Sequence, residues 1–231
     1  MLIFTPQNSL LLIAGLVNLV MSIWVFTRGL KNKINLYFGL LTFFNFLWAI
    51  GLIFSNTAIN YELNRFSSSV IYPISLMIVI SLFYFAVYFP YETFKVSGFY
   101  KWLINVLIIF YSIYCIFGYK LFVPSVILFP KVIIHYEPWS YTIFSIIMIV
   151  LMLTAIYILY KKYISAEGIF RTQLLLILIA TIIGTSAGVY FNLFFMYTYD
   201  LTYNHFGPLC TLFINFVVFS FIVMSKDKIK N

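Results

Sequence analysis

The chain has 231 residues, of which 64% are hydrophobic and only 9% charged, with a mean hydropathy of +1.04; this composition excludes an ordinary water-soluble domain and makes lipid the solvent for most of the chain. A net charge of +8 would suit nucleic acid if it formed one basic face, but the fourteen Lys and Arg residues fall in short clusters between apolar runs. That pattern marks membrane topology, so no nucleic-acid partner is expected and the partner of most of the surface is membrane lipid.

A helix crosses the hydrocarbon core with about 20 apolar residues. The first such run, Ser9–Thr27, follows a stretch without Lys or Arg and precedes no small-residue cleavage pattern, so it reads as a span rather than a signal peptide. Six more follow: Ile34–Phe54, Val70–Phe89, Trp102–Phe122, Ser140–Tyr160, Thr172–Phe195 and Phe206–Met224. None contains Asp, Glu or Arg, and Lys120 sits at an end where it can snorkel. The expected fold class is therefore an all-α integral membrane protein, a bundle of seven transmembrane helices in the plasma (inner) membrane. Residues 1–225 are expected to form one seven-helix transmembrane domain and 226–231 a short basic cytoplasmic tail.

Orientation follows from the basic residues. With the N-terminus outside, the inner segments hold Arg28, Lys31, Lys33, Lys95, Lys101, Lys161, Lys162, Arg171, Lys226, Lys228 and Lys230, and the outer ones only Arg65, Lys120 and Lys131. Eleven against three places the N-terminus out and the C-terminus in the cytoplasm. Trp24, Trp48, Trp102 and Trp139 all fall near span ends, where amphipathic rings favour the headgroup region. The longest outer connection reads VPSVILFPKVIIHYEPW from Val123 to Trp139; its two β-branched stretches predict a short extracellular β-hairpin, with a re-entrant loop as the alternative.

Catalytic patterns are missing from the sequence: no paired carboxylates at membrane depth, no grouped Ser, His and Asp, no glycine-rich phosphate loop, and no mid-span Lys for a Schiff base. Neither enzyme nor cofactor is expected. Cys115 and Cys210 read as small buried hydrophobes. His135, Glu137, Asp200 and His205 fall in two outer loops without ligand-like spacing and read as solvated residues, with no metal expected.

The polar residues that carry information are Asn18, Asn45 and Asn215, each near the centre of a span, where an unpaired amide is costly. They are the candidate ligand or polar-cluster residues, and they meet at mid-depth if spans one, two and seven adjoin. The plainer reading makes each an interhelical bond worth about 0.6 to 2 kcal/mol. Gly184 and Gly188 enclose Thr185, Ser186 and Ala187, a small-residue stretch that predicts close packing within the bundle.

Several local phrases carry a family resemblance: KINLYFGLLTFFNFLWAIGL from Lys33 to Leu52, YPISLMIVISLFYFAVYFP from Tyr72 to Pro90, RTQLLLILIATIIG from Arg171 to Gly184, and HFGPLCTLFINFVVFSFIV from His205 to Val223. In order and spacing they resemble the seven-helix N-terminal sensor region of bacterial histidine kinases. The resemblance implies a signal-input module that detects an external or membrane-borne cue and passes a displacement through the seventh helix to a cytoplasmic signalling partner or output domain. A homodimer is implied by analogy, and no binding residues carry over. Kinase modules do not follow Lys226, so kinase activity is not expected of this chain. The Phe and Tyr walls with a few amides suit a small, largely apolar ligand. A small-solute transporter or channel is the alternative, weakened by the lack of an internal repeat or mid-span Pro; a structural membrane subunit is the third reading.

Overall fold

The computed structural model describes residues 5–57, 60–92, 96–128, 132–194 and 203–227. Among the described residues eight helices are defined: α1 Pro6–Thr27, α2 Lys33–Asn56, α3 Tyr61–Tyr88, α4 Gly98–Phe117, the single turn α5 Tyr119–Phe122, α6 Pro138–Ser165, α7 Gly168–Val189, which continues into a π-helical turn Tyr190–Phe194, and α8 Phe206–Asp227. Most helix starts are written locally by a capping side chain. Thr5 accepts from the Asn8 amide at 3.1 Å, Asn32 from Ile34 at 2.9 Å, Asn60 from Glu62 at 2.8 Å and Glu137 from Ser140 at 2.6 Å. Among the described residues six helices are long and apolar enough to cross a membrane, and Phe206–Ile222 is a shorter apolar helix.

The helices pack in the order α1, α2, α3, α6, α7, α8, with α8 returning to α1 and also touching α2. The most apolar window of α3 is 83% buried, against 17% for α4, which packs on the outside of α3. Two tyrosines tie α4 to the start of α6: Tyr111 donates to the Ser140 carbonyl and Tyr114 bonds the Ser140 hydroxyl, both at 2.9 Å.

Three segments depart from the sequence expectation. Helix α3 starts nine residues before the expected Val70, because its polar first turns are satisfied by neighbours: Asn64 donates to the Ser55 carbonyl at 3.0 Å, Ser68 bonds Ser55 at 2.8 Å, and Ser69 donates to the Cys115 carbonyl at 2.6 Å. As a result Pro73 lies inside a helix, contrary to the expectation of no mid-span proline. The expected fourth span breaks at Gly118, the C-cap of α4, and α5 follows as a separate turn; there a Cβ would lie 2.7 Å from the Tyr114 carbonyl oxygen. The sixth span widens into the π turn, whose Leu193 carbonyl accepts from the Tyr141 hydroxyl at 2.8 Å.

After α5, strand β1 (Ser125–Ile127) pairs antiparallel with β2 (Ile133–His135), Val126 opposite Ile134. The Arg65 guanidinium holds this connection to α3, donating to the carbonyls of Val123, Lys120 (2.7 Å) and Pro124 (3.0 Å). Residues 129–131, between the strands, lie outside the described residues.

Candidate functional site

Helical periodicity at mid-depth turns one amide from each of α1, α2 and α8 into the bundle: Asn18, Asn45 and Asn215 are all fully or almost fully buried. Their bonding fixes which way each amide points. Asn18 donates its Nδ2 to the Ala14 carbonyl one turn back at 3.0 Å, leaving Oδ1 as its acceptor. Asn215 donates its Nδ2 to that Oδ1 at 2.7 Å, so the Asn215 Oδ1 is left outward and has no partner among the described residues. Asn45 donates to the Leu41 carbonyl at 2.9 Å, and its Oδ1 likewise has no partner.

Asn45 and Asn215 share the wall of a cavity of about 70 Å³ enclosed by α2, α3, α6, α7, the π turn and α8. Trp48, Tyr72, Met148 and Gly188 also form it, and the accessible wall is almost wholly hydrocarbon and ring. A third amide, Asn192 of the π turn, also lies in this wall; it donates to the Gly188 carbonyl at 3.3 Å and keeps a partnerless Oδ1. Three of the wall hydroxyls direct their protons into their own helices: Ser75 to Ile71 O (2.9 Å), Thr185 to Thr181 O (2.6 Å) and Thr211 to Pro208 O (2.9 Å).

The sequence-predicted residues are thus partly brought together. The structure pairs Asn18 with Asn215, and sets Asn45 beside Asn215 in the cavity wall without a bond between them. Asn18 stands behind the wall. If the pair holds α1 to α8, Asn18→Leu destabilises the protein by about 1 to 2 kcal/mol, and adding Asn215→Leu recovers part of that loss, because the second change removes the stranded amide. A double-mutant cycle by denaturant unfolding in detergent measures the coupling; strict additivity would remove it.

The two glycines of α7 separate by role. A Cβ on Gly184 would overlap Ile214 Cδ1 and lie 3.1 Å from the Cys210 carbonyl oxygen of α8, whereas a Cβ on Gly188 meets nothing within 4 Å. Gly184 is a contact inside the bundle, and Gly188 opens onto the cavity.

Several residues lie elsewhere than expected. Trp48, expected in the interfacial belt, is only 7% exposed and lines the cavity, because α2 continues two turns past it. Trp102 and Trp139 are largely exposed, at the starts of α4 and α6. His205, expected to be solvated, is buried, with its ring 4.3 Å from that of Phe206. Glu137 caps α6, and Asp200 lies outside the described residues. Lys162, counted among the loop charges, is 2% exposed and sits against the end of α3. Sequence reasoning missed Asn192 and the buried aromatic cluster around Tyr72, whose ring meets those of Phe122, Tyr136, Tyr141 and Phe144. The Tyr and Phe at both ends of the Val123–Trp139 stretch and at the start of α6 were the available signal for that cluster.

No curated protein matches the chain. A family model described as the N-terminal 7TM region of histidine kinase matches residues 10–226, from within α1 to the last residues of α8. A helical bundle with six candidate spans and a further apolar helix agrees with that match. The chain belongs to this family, the non-catalytic sensor regions of histidine kinases, and is a multi-pass membrane protein.

Proposed function

We propose that this bundle is the input module of a histidine-kinase sensor, in which the cavity receives an external or membrane-borne cue and α8 carries the response toward the cytoplasm. The observation that carries the reading is that α8 supplies cavity wall at Asn215 and packs on α7 at Gly184, so an occupant changes the surroundings of the outgoing helix directly. A ligand shifts such a bundle only by binding one packing better than another. Pro73 in α3 and the π turn after α7 supply two places beside the cavity where helices bend at low cost.

The excess of basic residues in the segments after spans one, three, five and seven supports the N-out, C-in orientation, which sets the β1–β2 pair on the outer face and Lys226 at the cytoplasmic exit of α8. A histidine-kinase output domain is the partner this reading requires, and pairing of two copies enters by analogy with that family. The interior proline and the π turn also suit a transporter, whose helices are interrupted beside the substrate, and the same experiment separates the two.

The chain, fused after Asn231 to the dimerisation and catalytic domains of a histidine kinase, is expected to show phosphorylation that changes with small lipophilic stimuli. Gly188→Leu, which places a side chain in the cavity, is expected to leave basal phosphorylation intact and remove the stimulus dependence. A correctly inserted chimera that answers no stimulus, or one that accumulates a labelled solute, overturns the sensor reading.

A further inference from the structure

Away from the cavity, three helices bring pairs of residues one turn apart to the same place. Lys33 and Tyr37 open α2, Tyr84 and Tyr88 close α3, and Lys101 and Asn105 lie in the first half of α4; the i, i+4 spacing sets each pair on one helix face. Tyr37 stacks on both tyrosines of α3, its ring centroid 4.8 Å from that of Tyr84 and 5.4 Å from that of Tyr88. The Tyr84 hydroxyl donates to the Asn105 Oδ1 at 3.3 Å. The ammonium groups of Lys33 and Lys101, carried by different helices, both reach the Tyr88 ring, 4.4 and 5.8 Å from its centroid.

The group has two levels. Lys33, Tyr88 and Lys101 form the one nearer the helix ends, and Tyr37, Tyr84 and Asn105 the other, about 6 Å deeper at four residues of helical rise. Topology accounts for basic residues at this end of the bundle. It does not account for two of them converging on one ring, or for an exposed asparagine one turn further in, between the exposed Trp102 and Ile109. The Asn105 Nδ2 has no acceptor among the described residues. Glu92, 3.7 Å from Lys33 with both side chains about half exposed, is the one carboxylate paired with the group among the described residues, and Lys101 has none. Both lysines fall within the first four residues of helices whose first turns hold no acidic residue, where the helix dipole favours an anion over a cation.

We propose that this groove binds the headgroup of a phospholipid with a net negative charge, its phosphodiester on Lys33 and Lys101 beside Tyr88 and an ester carbonyl on the Asn105 amide. The headgroup and ester zone of one leaflet is roughly 5 to 8 Å thick, which matches the separation of the two levels. The acyl chains then follow the exposed apolar face of α4, which continues from Asn105 to Ile109 one turn deeper. A soluble phosphate would use the lysines alone and leave Asn105 without a role. The site is separate from the cavity and holds whether or not the bundle is a sensor.

Native mass spectrometry of the full chain in a nonionic detergent, titrated with dioleoylphosphatidylglycerol or dioleoylphosphatidylcholine, counts bound lipids and gives their affinities; the chains are the same and only the headgroup differs. The first phosphatidylglycerol is expected to bind roughly tenfold tighter than phosphatidylcholine. Lys33→Gln with Lys101→Gln is expected to remove that preference, Asn105→Leu to weaken both lipids, and Glu92→Gln, which frees Lys33, to strengthen phosphatidylglycerol alone. Lys31→Gln with Lys161→Gln takes the same charge from two other exposed lysines and is expected to leave the preference intact, with circular dichroism verifying the fold throughout. Equal binding of the two lipids by the parent overturns the proposal. So does an equal loss of preference in the two double variants, which makes the attraction one of diffuse charge. An Asn105→Leu protein that binds both lipids as its parent does overturns the deeper contact. Displacement of bound phosphatidylglycerol by glycerol phosphate at matching concentration assigns the lysines to a soluble phosphate and overturns the lipid.

Discussion

Lys162→Met is expected to destabilise the bundle by about 3 kcal/mol, well beyond any other single charge removal. The Lys162 ammonium donates its three protons to three carbonyls, those of Val87 (2.6 Å), Phe89 (2.8 Å) and Tyr91 (2.8 Å). These belong to the last turn of α3 and the chain just beyond it, where backbone acceptors lack intrahelical partners and the helix dipole favours a cation. The side chain is 2% exposed, so water does not replace what it provides. Methionine keeps the length of the stem and removes only the donors. Lys162→Arg is expected to rescue little, because a planar fork cannot reach three converging oxygens as a compact ammonium does. Lys161 is exposed, lies 5.6 Å from the Tyr157 ring, and its replacement by Met is expected to change stability by less than about 0.5 kcal/mol. Unfolding midpoints in a fixed detergent compare the variants; a Lys162→Met protein as stable as its parent would show that the lysine does not fasten α6 to α3.

The second large effect is at Gly184. Adding one methyl group there is expected to cost about 2 to 3 kcal/mol, since the new Cβ would overlap Ile214 Cδ1 and press on the backbone oxygen of Cys210. The side chain of Ile214 can be shortened and the backbone cannot, so Gly184→Ala with Ile214→Ala is expected to recover about half of the loss. Gly188→Ala, one turn along the same helix, meets open space and is expected to be neutral or slightly stabilising. In the kinase chimera, Gly184→Ala is expected to fix phosphorylation at one level, because α7 and α8 can no longer settle at their present spacing. If Gly184→Ala is as stable as Gly188→Ala, the close approach of the two helices is not maintained in the bilayer.

The apolar runs were legible because lipid leaves few ways to build a span. The starts of α3 and the end of α4 were not. Asn64, Ser68 and Ser69 look like loop residues until α2 and α4 are there to bond them, and only then does Pro73 become an interior proline. Depth alone singled out Asn18, Asn45 and Asn215, since burying an amide in a bundle demands a reason. It could not say that Asn18 and Asn215 pair while Asn45 keeps to its own helix, because that depends on the rotation of each helix about its axis. Lys162 was hidden for a different reason: a Lys-Lys pair closing an apolar run looks like a topology charge, and its partners lie more than seventy residues earlier in the chain. Asn192 was obscured by position. It falls in the last turns of the sixth run, where an amide would ordinarily meet headgroups, and the π turn brings it to the wall instead.

The polar opening of α3 also bears on how the protein enters the membrane. A segment carrying Glu62, Asn64, Arg65 and three successive serines at 67–69 is a poor candidate for entering lipid alone. Its partner is already at hand, because Ser55, which accepts from Asn64 and pairs with Ser68, closes the helix made just before it. The two helices are therefore expected to enter the bilayer as a hairpin, with α2 as the template on which α3 satisfies its polar first turns. Changes at Ser55 would act on biogenesis, reducing the yield of inserted chain before any effect on the finished fold is felt.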